Sequence, residues 1–77
     1  MVTTGSEWLA AFAAALEAAE PTADEVESLL ALAGAAAHAS ERTAAPVACW
    51  LAARAGVPPA DALEIALRVA GRSPDPQ

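Results

Sequence analysis

The chain has 77 residues, of which 56% are hydrophobic and most of those are alanine, so it can form one small domain with a thin core. Ten carboxylates against four arginines and no lysine give a net charge of −6, which makes nucleic acid and anionic membranes unfavourable partners. A single cysteine and a single histidine, Cys49 and His38, exclude an internal disulfide and the four-ligand zinc sites built from these residues.

The distribution of charge along the chain favours a soluble cytoplasmic protein. Residues 1–6 carry no positive side chain, and Glu17 and Glu20 interrupt the first alanine-rich stretch, so the pattern does not match a signal peptide. The longest uncharged run, Ser28 to Ser40, is shorter than the about 20 residues that a membrane span needs. A single unpaired cysteine also fits a reducing compartment.

The first predicted helix begins at Ser6, a good N-cap residue, and ends near Glu20, because Pro21 prevents continuation. Its large apolar residues recur at helical spacing and form one stripe: Trp8, Leu9, Phe12 and Leu16.

A second helix is predicted from Thr22, because Thr22 and Glu25 match the capping box. Its main apolar stripe contains Val26, Leu29, Leu30, Ala33 and Ala37. The opposite side carries small residues, namely Ala31, Gly34 and Ala35, where a surface helix normally presents charge. This pattern is typical of a helix that is covered on both sides.

The third predicted helix has Thr43 as its cap, Pro46 in its first turn and Gly56 as its stop after Ala55. It is also apolar on nearly all sides, and Arg54 is its only charged residue.

A fourth helix is predicted to start at Pro58 and Pro59 and to end at Gly71. Its apolar positions follow helical spacing: Leu63, Ala66, Leu67 and Ala70.

Together these elements predict an all-α protein, a compact four-helix array with helices two and three central and helices one and four flanking. We expect one domain over residues 6–71, a flexible N-terminus at 1–5 and a flexible tail at 72–77. So short a chain cannot fully cover two apolar helices. The excess apolar surface therefore predicts a homodimer or docking to a protein partner.

One dense polar cluster stands out in the sequence. On helical geometry His38, Glu41 and Arg42 project to one side of the end of helix two and can contact one another. A histidine beside a carboxylate holds a proton more readily, and an arginine can grip an anion with two hydrogen bonds, so the cluster can bind a small anionic ligand. The competing interpretation is that Glu41 and Arg42 brace the joint between helices two and three.

The sequence allows two interpretations for each of two further residues, Arg54 and Cys49. Arg54 lies one turn beyond Trp50, so it either stacks on the indole in a partner-binding surface or stays a solvated charge. Cys49 is interpreted as a buried small hydrophobe rather than a nucleophile with His38 as its base. No complete catalytic constellation, metal site or phosphate loop is present in the sequence, so we expect no enzymatic activity, metal or cofactor.

The segment AHASERTAAP at residues 37–46, followed by Trp50 and Leu51, resembles a small bacterial domain family of unknown function. Members of that family occur alone or fused behind the molybdenum cofactor guanylyltransferase of molybdopterin-guanine dinucleotide biosynthesis. The similarity spans roughly Trp8 to Ala70, and its specific part is A-H-x-x-E-R-x-x-A-P. Ala48 and Cys49 stand where the family pattern suggests hydroxyl residues, and Ala53 where it suggests glycine.

The resemblance implies an accessory role beside a molybdenum cofactor enzyme, not guanylyl transfer itself. Two hypotheses follow. The first is a non-catalytic helical interaction module, dimeric or docked on the guanylyltransferase. The second is a small domain that binds an anionic ligand through His38, Glu41 and Arg42.

Overall fold

The computed structural model describes residues 4–71 and contains four α-helices in that range: α1 (Gly5–Ala15), α2 (Ala23–Ala39), α3 (Ala44–Ala55) and α4 (Pro59–Gly71). Within these residues there is no strand, which confirms the predicted all-α class. The predicted tail at 72–77 and residues 1–3 of the predicted flexible N-terminus lie outside the described residues. Thr4 and Gly5 belong to the beginning of α1.

Helix α1 begins earlier and ends earlier than the sequence predicts. Thr4, not Ser6, is the N-cap, since its hydroxyl accepts from the Glu7 amide at 3.0 Å and the Glu7 carboxylate accepts from the Thr4 amide at 3.0 Å. The prediction that the helix runs to Glu20 is wrong, because Glu17 adopts a left-handed conformation at φ 59°.

A Schellman motif forms the end of α1. The Ala18 amide donates to the Ala13 carbonyl at 2.9 Å and the Glu17 amide donates to the Ala14 carbonyl at 3.0 Å. These bonds satisfy two of the last carbonyls of the helix, which ends at Ala15, six residues before Pro21.

Helix α2 begins at the capping box that the sequence predicts. The Thr22 hydroxyl accepts from the Glu25 amide at 3.0 Å, and the Glu25 carboxylate accepts from the Thr22 amide at 2.8 Å. Asp24 and Glu25 in the first turn also favour the positive end of the helix dipole.

Helix α3 ends at Gly56 as predicted, with φ 76° at this glycine. The predicted side-chain cap by Thr43 is wrong. The backbone of Thr43 is already in the right-handed helical region, and the Ala44 and Ala45 amides donate to the Glu41 and Arg42 carbonyls at 2.9 and 3.1 Å. Because the preceding turn satisfies these amides, a side-chain cap is not needed.

The packing centres on α2. Helix α2 packs along both α3 and α4, whereas α3 and α4 approach each other only briefly. No Cα atom of α1 comes within 8 Å of a Cα atom of the other three helices. Helices two and three therefore pack together as predicted, and α1 extends the array from the start of α2 without joining its core.

The core of the described residues is small. Its buried hydrophobic residues are Leu32 on α2 and Ala62 on α4. Ala13 is also buried, but it lies on α1, outside the packing of the other three helices. No large side chain among residues 4–71 is fully buried. With so little buried volume, the three packed helices leave much of their apolar surface in water.

Candidate interaction surfaces

The polar cluster predicted at the end of α2 does not keep helical geometry. Helix α2 ends at Ala39, and Ser40 leaves the helix with φ −144° and ψ −95° while its hydroxyl donates to the Ala36 carbonyl at 2.8 Å. Glu41 and Arg42 therefore lie in the turn before α3, not on the helical face of His38. The premise that the three share one face of a helix is wrong.

The side chains of His38, Glu41 and Arg42 are all exposed. None of them takes part in a hydrogen bond formed by a side chain within residues 4–71. The Glu41 and Arg42 carbonyls, in contrast, accept the first amides of α3. The joint is thus held by backbone bonds, and a role of these side chains in ligand or partner binding stays a prediction.

Cys49 lies half-buried on α3. Its Sγ is 3.9 Å from the Leu29 carbonyl oxygen of α2, a weak thiol hydrogen bond. The thiol therefore helps to seat α3 on α2, which agrees with its interpretation as a small packed residue.

An exposed aromatic and cationic pair lies on the outer face of α3. The Cζ atom of Arg54 lies 4.4 Å from the centroid of the Trp50 ring, within the range of a cation–π interaction. Trp50 is 58% exposed, and Val47, one turn earlier, is 55% exposed. Of the two alternatives for Arg54, the structure therefore has the stacking on Trp50, and this large apolar side chain lies at the surface.

Helix α1 carries a second apolar surface, which we name the α1 stripe: Trp8, Leu9, Phe12 and Leu16. All four side chains are exposed, and the rings of Trp8 and Phe12 stack with centroids 4.9 Å apart. The only charged residue of α1 itself is Glu7, which belongs to the N-terminal cap. The stripe is therefore an apolar face of α1 that does not pack on α2, α3 or α4 of the same chain.

An open apolar groove lies between α2, α3 and α4, with a volume of about 710 Å³. Its floor and walls are mostly alanine, including Ala36, Ala52 and Ala66, and Leu32 lies at its base. Leu51, Ile65 and Val69 also line it and are between 43% and 57% exposed. We call this surface the alanine groove. None of its lining residues is charged.

Other site types lack support in the described part of the chain. Residues 4–71 contain no group of three or more histidine, cysteine or acidic side chains arranged to hold a metal ion. No helix in the same range is both long enough and apolar enough to cross a bilayer.

A family model for a domain of unknown function, DUF6457, matches residues 2–75. The chain belongs to this family. The match confirms the predicted resemblance as far as it concerns a small domain of unknown function. No curated protein and no solved structure matches the chain.

Sequence reasoning found part of these surfaces in this DUF6457 domain. It identified the residues of the α1 stripe, and it offered the stacking of Arg54 on Trp50 as one of two alternatives. It did not identify the alanine groove, and it placed the excess apolar surface on helices two and three. The repeated alanines of α4 were the available signal, since three helices that meet through alanine leave space where larger side chains are missing.

Proposed function

We propose that this DUF6457 domain is a non-catalytic helical interaction module that docks on other protein surfaces. One observation carries the proposal. Among residues 4–71, eleven large hydrophobic side chains are between 40% and 68% exposed, while Leu32 is the only large residue in the buried core.

The physical reason is the size of that exposed surface. Each half-exposed side chain of this size leaves on the order of 100 Å² open to water, so the eleven together expose about 1,000 Å². A contiguous apolar patch of about 300–600 Å² on a monomer is often a contact site, and the four side chains of the α1 stripe alone expose about 400 Å². A second protein surface that covers these side chains removes them from water.

The outer face of α3 is the surface best suited to a different protein. Tryptophan and arginine are the residues most enriched among interface positions that dominate binding energy. Trp50 offers a large rigid contact, and the guanidinium of Arg54 remains able to pair with a carboxylate of a partner. The residue pair thus combines apolar area with a directional charge.

The partner class comes from the similarity of residues 37–51 to the family described above. That similarity supports docking on the molybdenum cofactor guanylyltransferase, in an accessory role in molybdopterin-guanine dinucleotide biosynthesis. A non-catalytic role agrees with the separation of the titratable side chains. His38 is at the exposed end of α2, and Cys49 faces a backbone carbonyl instead of a base.

A binding measurement on the immobilised domain tests the proposal. We expect the purified guanylyltransferase to bind the wild-type chain, and Trp50→Ser to weaken binding at least tenfold. Leu67→Ser is the control, since Leu67 is 55% exposed but lies on α4 and does not line the alanine groove. If neither the guanylyltransferase nor a second copy of this chain binds at micromolar concentration, the proposal is wrong. Equal loss in both variants would contradict the assignment to α3.

A further inference from the structure

The α1 stripe and the alanine groove have complementary shapes. The stripe contributes two aromatic rings and two leucines, which are bulky, whereas the groove is lined mainly by methyl groups that leave about 710 Å³ open. Trp8 to Leu16 spans about 12 Å of helix, and the α4 wall from Ala62 to Ala70 also spans about 12 Å at 1.5 Å per residue. A helix with large side chains and a trough with small ones can therefore interdigitate over matching lengths.

The α1 helix of the same chain is badly placed to fill this groove. Leu9 and Ala10 of α1 line an open space of about 510 Å³ together with Pro21, Ala23 and Val26. The groove, in contrast, opens on the other half of α2, from Leu32 to Ala39. Ala23 and Ala36 are separated by about 20 Å of helix. If the α2 of a second copy runs antiparallel to the first, the α1 of that copy lies near the Leu32–Ala39 half of the first α2, where the groove opens.

Charge does not oppose this pairing. The only charged residue of α1 is Glu7, which belongs to the N-terminal cap. None of the residues that line the groove is charged, so the stripe of a second copy meets an uncharged surface.

The exposed area agrees with a stable dimer. The four side chains of the α1 stripe, with Leu51, Ile65 and Val69 at the groove, leave about 700 Å² per copy in water. A standard stable interface buries about 800 Å² per partner. A two-fold arrangement uses both surfaces of both copies, because each α1 contacts the groove of the other chain.

We propose that the occupant of the alanine groove is helix α1 of a second copy of this chain, in a reciprocal two-fold dimer. The inference rests on the proposed function, since it names one protein that covers part of the exposed apolar surface. The outer face of α3 with Trp50 remains open in this dimer for a different partner.

Nuclear magnetic resonance on the full chain tests the pairing directly. Wild-type chain labelled with ¹³C and ¹⁵N is mixed with unlabelled chain, and isotope-filtered spectra select contacts between copies. We expect intermolecular contacts from the rings of Trp8 and Phe12 to the methyl groups of Ala52 and Ala66. Dimers in which these contacts are missing, or are found only within one chain, overturn the inference.

A complementation experiment tests reciprocity. Phe12→Glu disables the stripe and keeps the groove, and Ala66→Arg blocks the groove and keeps the stripe. We expect each variant alone to dimerise at least tenfold more weakly than wild type, and an equimolar mixture to form a heterodimer with one intact contact. Ala14→Glu is the control, since Ala14 is exposed on the opposite face of α1. It should retain the wild-type dimer.

Circular dichroism verifies that each variant is folded, and Ala70→Arg replaces Ala66→Arg if the latter loses helix content. Sedimentation then separates the two proposals. A monomer at millimolar concentration that still binds the guanylyltransferase overturns the dimer and leaves the proposed function standing. A monomer that binds neither the guanylyltransferase nor a second copy overturns both the dimer and the proposed function.

Discussion

The guanidinium carbon of Arg54 lies 4.4 Å from the centre of the Trp50 ring, although both side chains are exposed on α3. A cation–π contact at an exposed site contributes about 0.5–1 kcal/mol, too little to decide whether the domain folds. Its main effect is to restrict the rotamers of two large side chains. Because these two side chains are already restricted, they lose less conformational entropy when a partner binds.

Replacing Arg54 by methionine tests that role, because methionine keeps an unbranched apolar stem and removes the charge. We expect the free energy of unfolding to fall by less than about 1 kcal/mol. Binding to the guanylyltransferase should fall by a larger factor. Urea unfolding and biolayer interferometry measure the two quantities, with Arg68→Met on α4 as the control. A larger loss of stability than of binding would assign Arg54 to the fold.

The two capping boxes permit a matched comparison. Thr22 and Thr4 make the same pair of hydrogen bonds, but Thr22 begins the central helix and Thr4 begins a helix that joins no core within the chain. We expect Thr22→Ala to lower the free energy of unfolding by about 1 kcal/mol. Thr4→Ala should change it by only a few tenths of a kcal/mol and reduce the helix signal slightly.

These measurements belong at low micromolar concentration, where self-association is weakest. Urea titration followed by circular dichroism at 222 nm provides both values. Equal destabilisation by the two substitutions would show that α1 contributes to the cooperative fold of a single chain.

The predicted elements that proved accurate are those fixed by short-range hydrogen bonds. The capping box at Thr22 and the left-handed Gly56 are signals contained within four residues, and both define helix ends as the sequence indicates. The start of α1 carried the same signal in Thr4 and Glu7. Ser6 also matches an N-cap, because it is a serine that precedes an apolar run, so the sequence offers two starts for this helix.

The end of α1 could not be predicted from propensity. Residues 16–20 are good helix formers, and Pro21 is the first residue that excludes a helix. The actual end depends on Glu17 adopting a conformation that glycine normally occupies. The same limit applies to the polar cluster at His38 and Arg42, since its assumed geometry required the helix to continue beyond Ala39.

The alanine groove depends on how three helices meet, which no local pattern specifies. The spacing of Ala62 and Ala66 predicts a helix face that packs closely. It does not show whether a neighbouring helix fills the space in front of it. The α1 stripe, in contrast, follows a periodic pattern that predicts its residues, but periodicity does not show that these side chains face solvent in the single chain.

Two glycines should respond to alanine with opposite sign. Gly56 has φ 76°, whereas Gly34 lies in the middle of α2, and an added Cβ meets no other atom within 4 Å at either position. We expect Gly56→Ala to destabilise by about 1–2 kcal/mol through backbone strain. Gly34→Ala should stabilise by about 0.5–1 kcal/mol through helix propensity. Thermal unfolding gives both signs, and destabilisation by Gly34→Ala would reveal a close neighbour of that face.

The anion-binding hypothesis has a direct test at the joint between α2 and α3. Arg42 is exposed, and its backbone carbonyl, not its side chain, bonds to α3. We therefore expect Arg42→Ala to change the free energy of unfolding by less than about 0.5 kcal/mol. Isothermal titration with inorganic phosphate should show no saturable binding to either protein. Saturable binding that disappears in Arg42→Ala with the fold intact would instead support an anionic ligand held by His38 and Arg42.

Leu32 should dominate the stability of the domain. It is 3% exposed on α2, whereas Leu30 on the same helix is 68% exposed. Truncating a buried leucine to alanine destabilises by about 2–5 kcal/mol, because it removes apolar contacts and leaves a cavity. A small domain has only a few kcal/mol of stability, so Leu32→Ala should unfold most of the molecules at 25 °C. Leu30→Ala should remain folded, with a change of less than about 1 kcal/mol. Circular dichroism distinguishes the two outcomes. If Leu32→Ala keeps its helix content at low micromolar concentration, contacts beyond the three packed helices of one chain must support the fold.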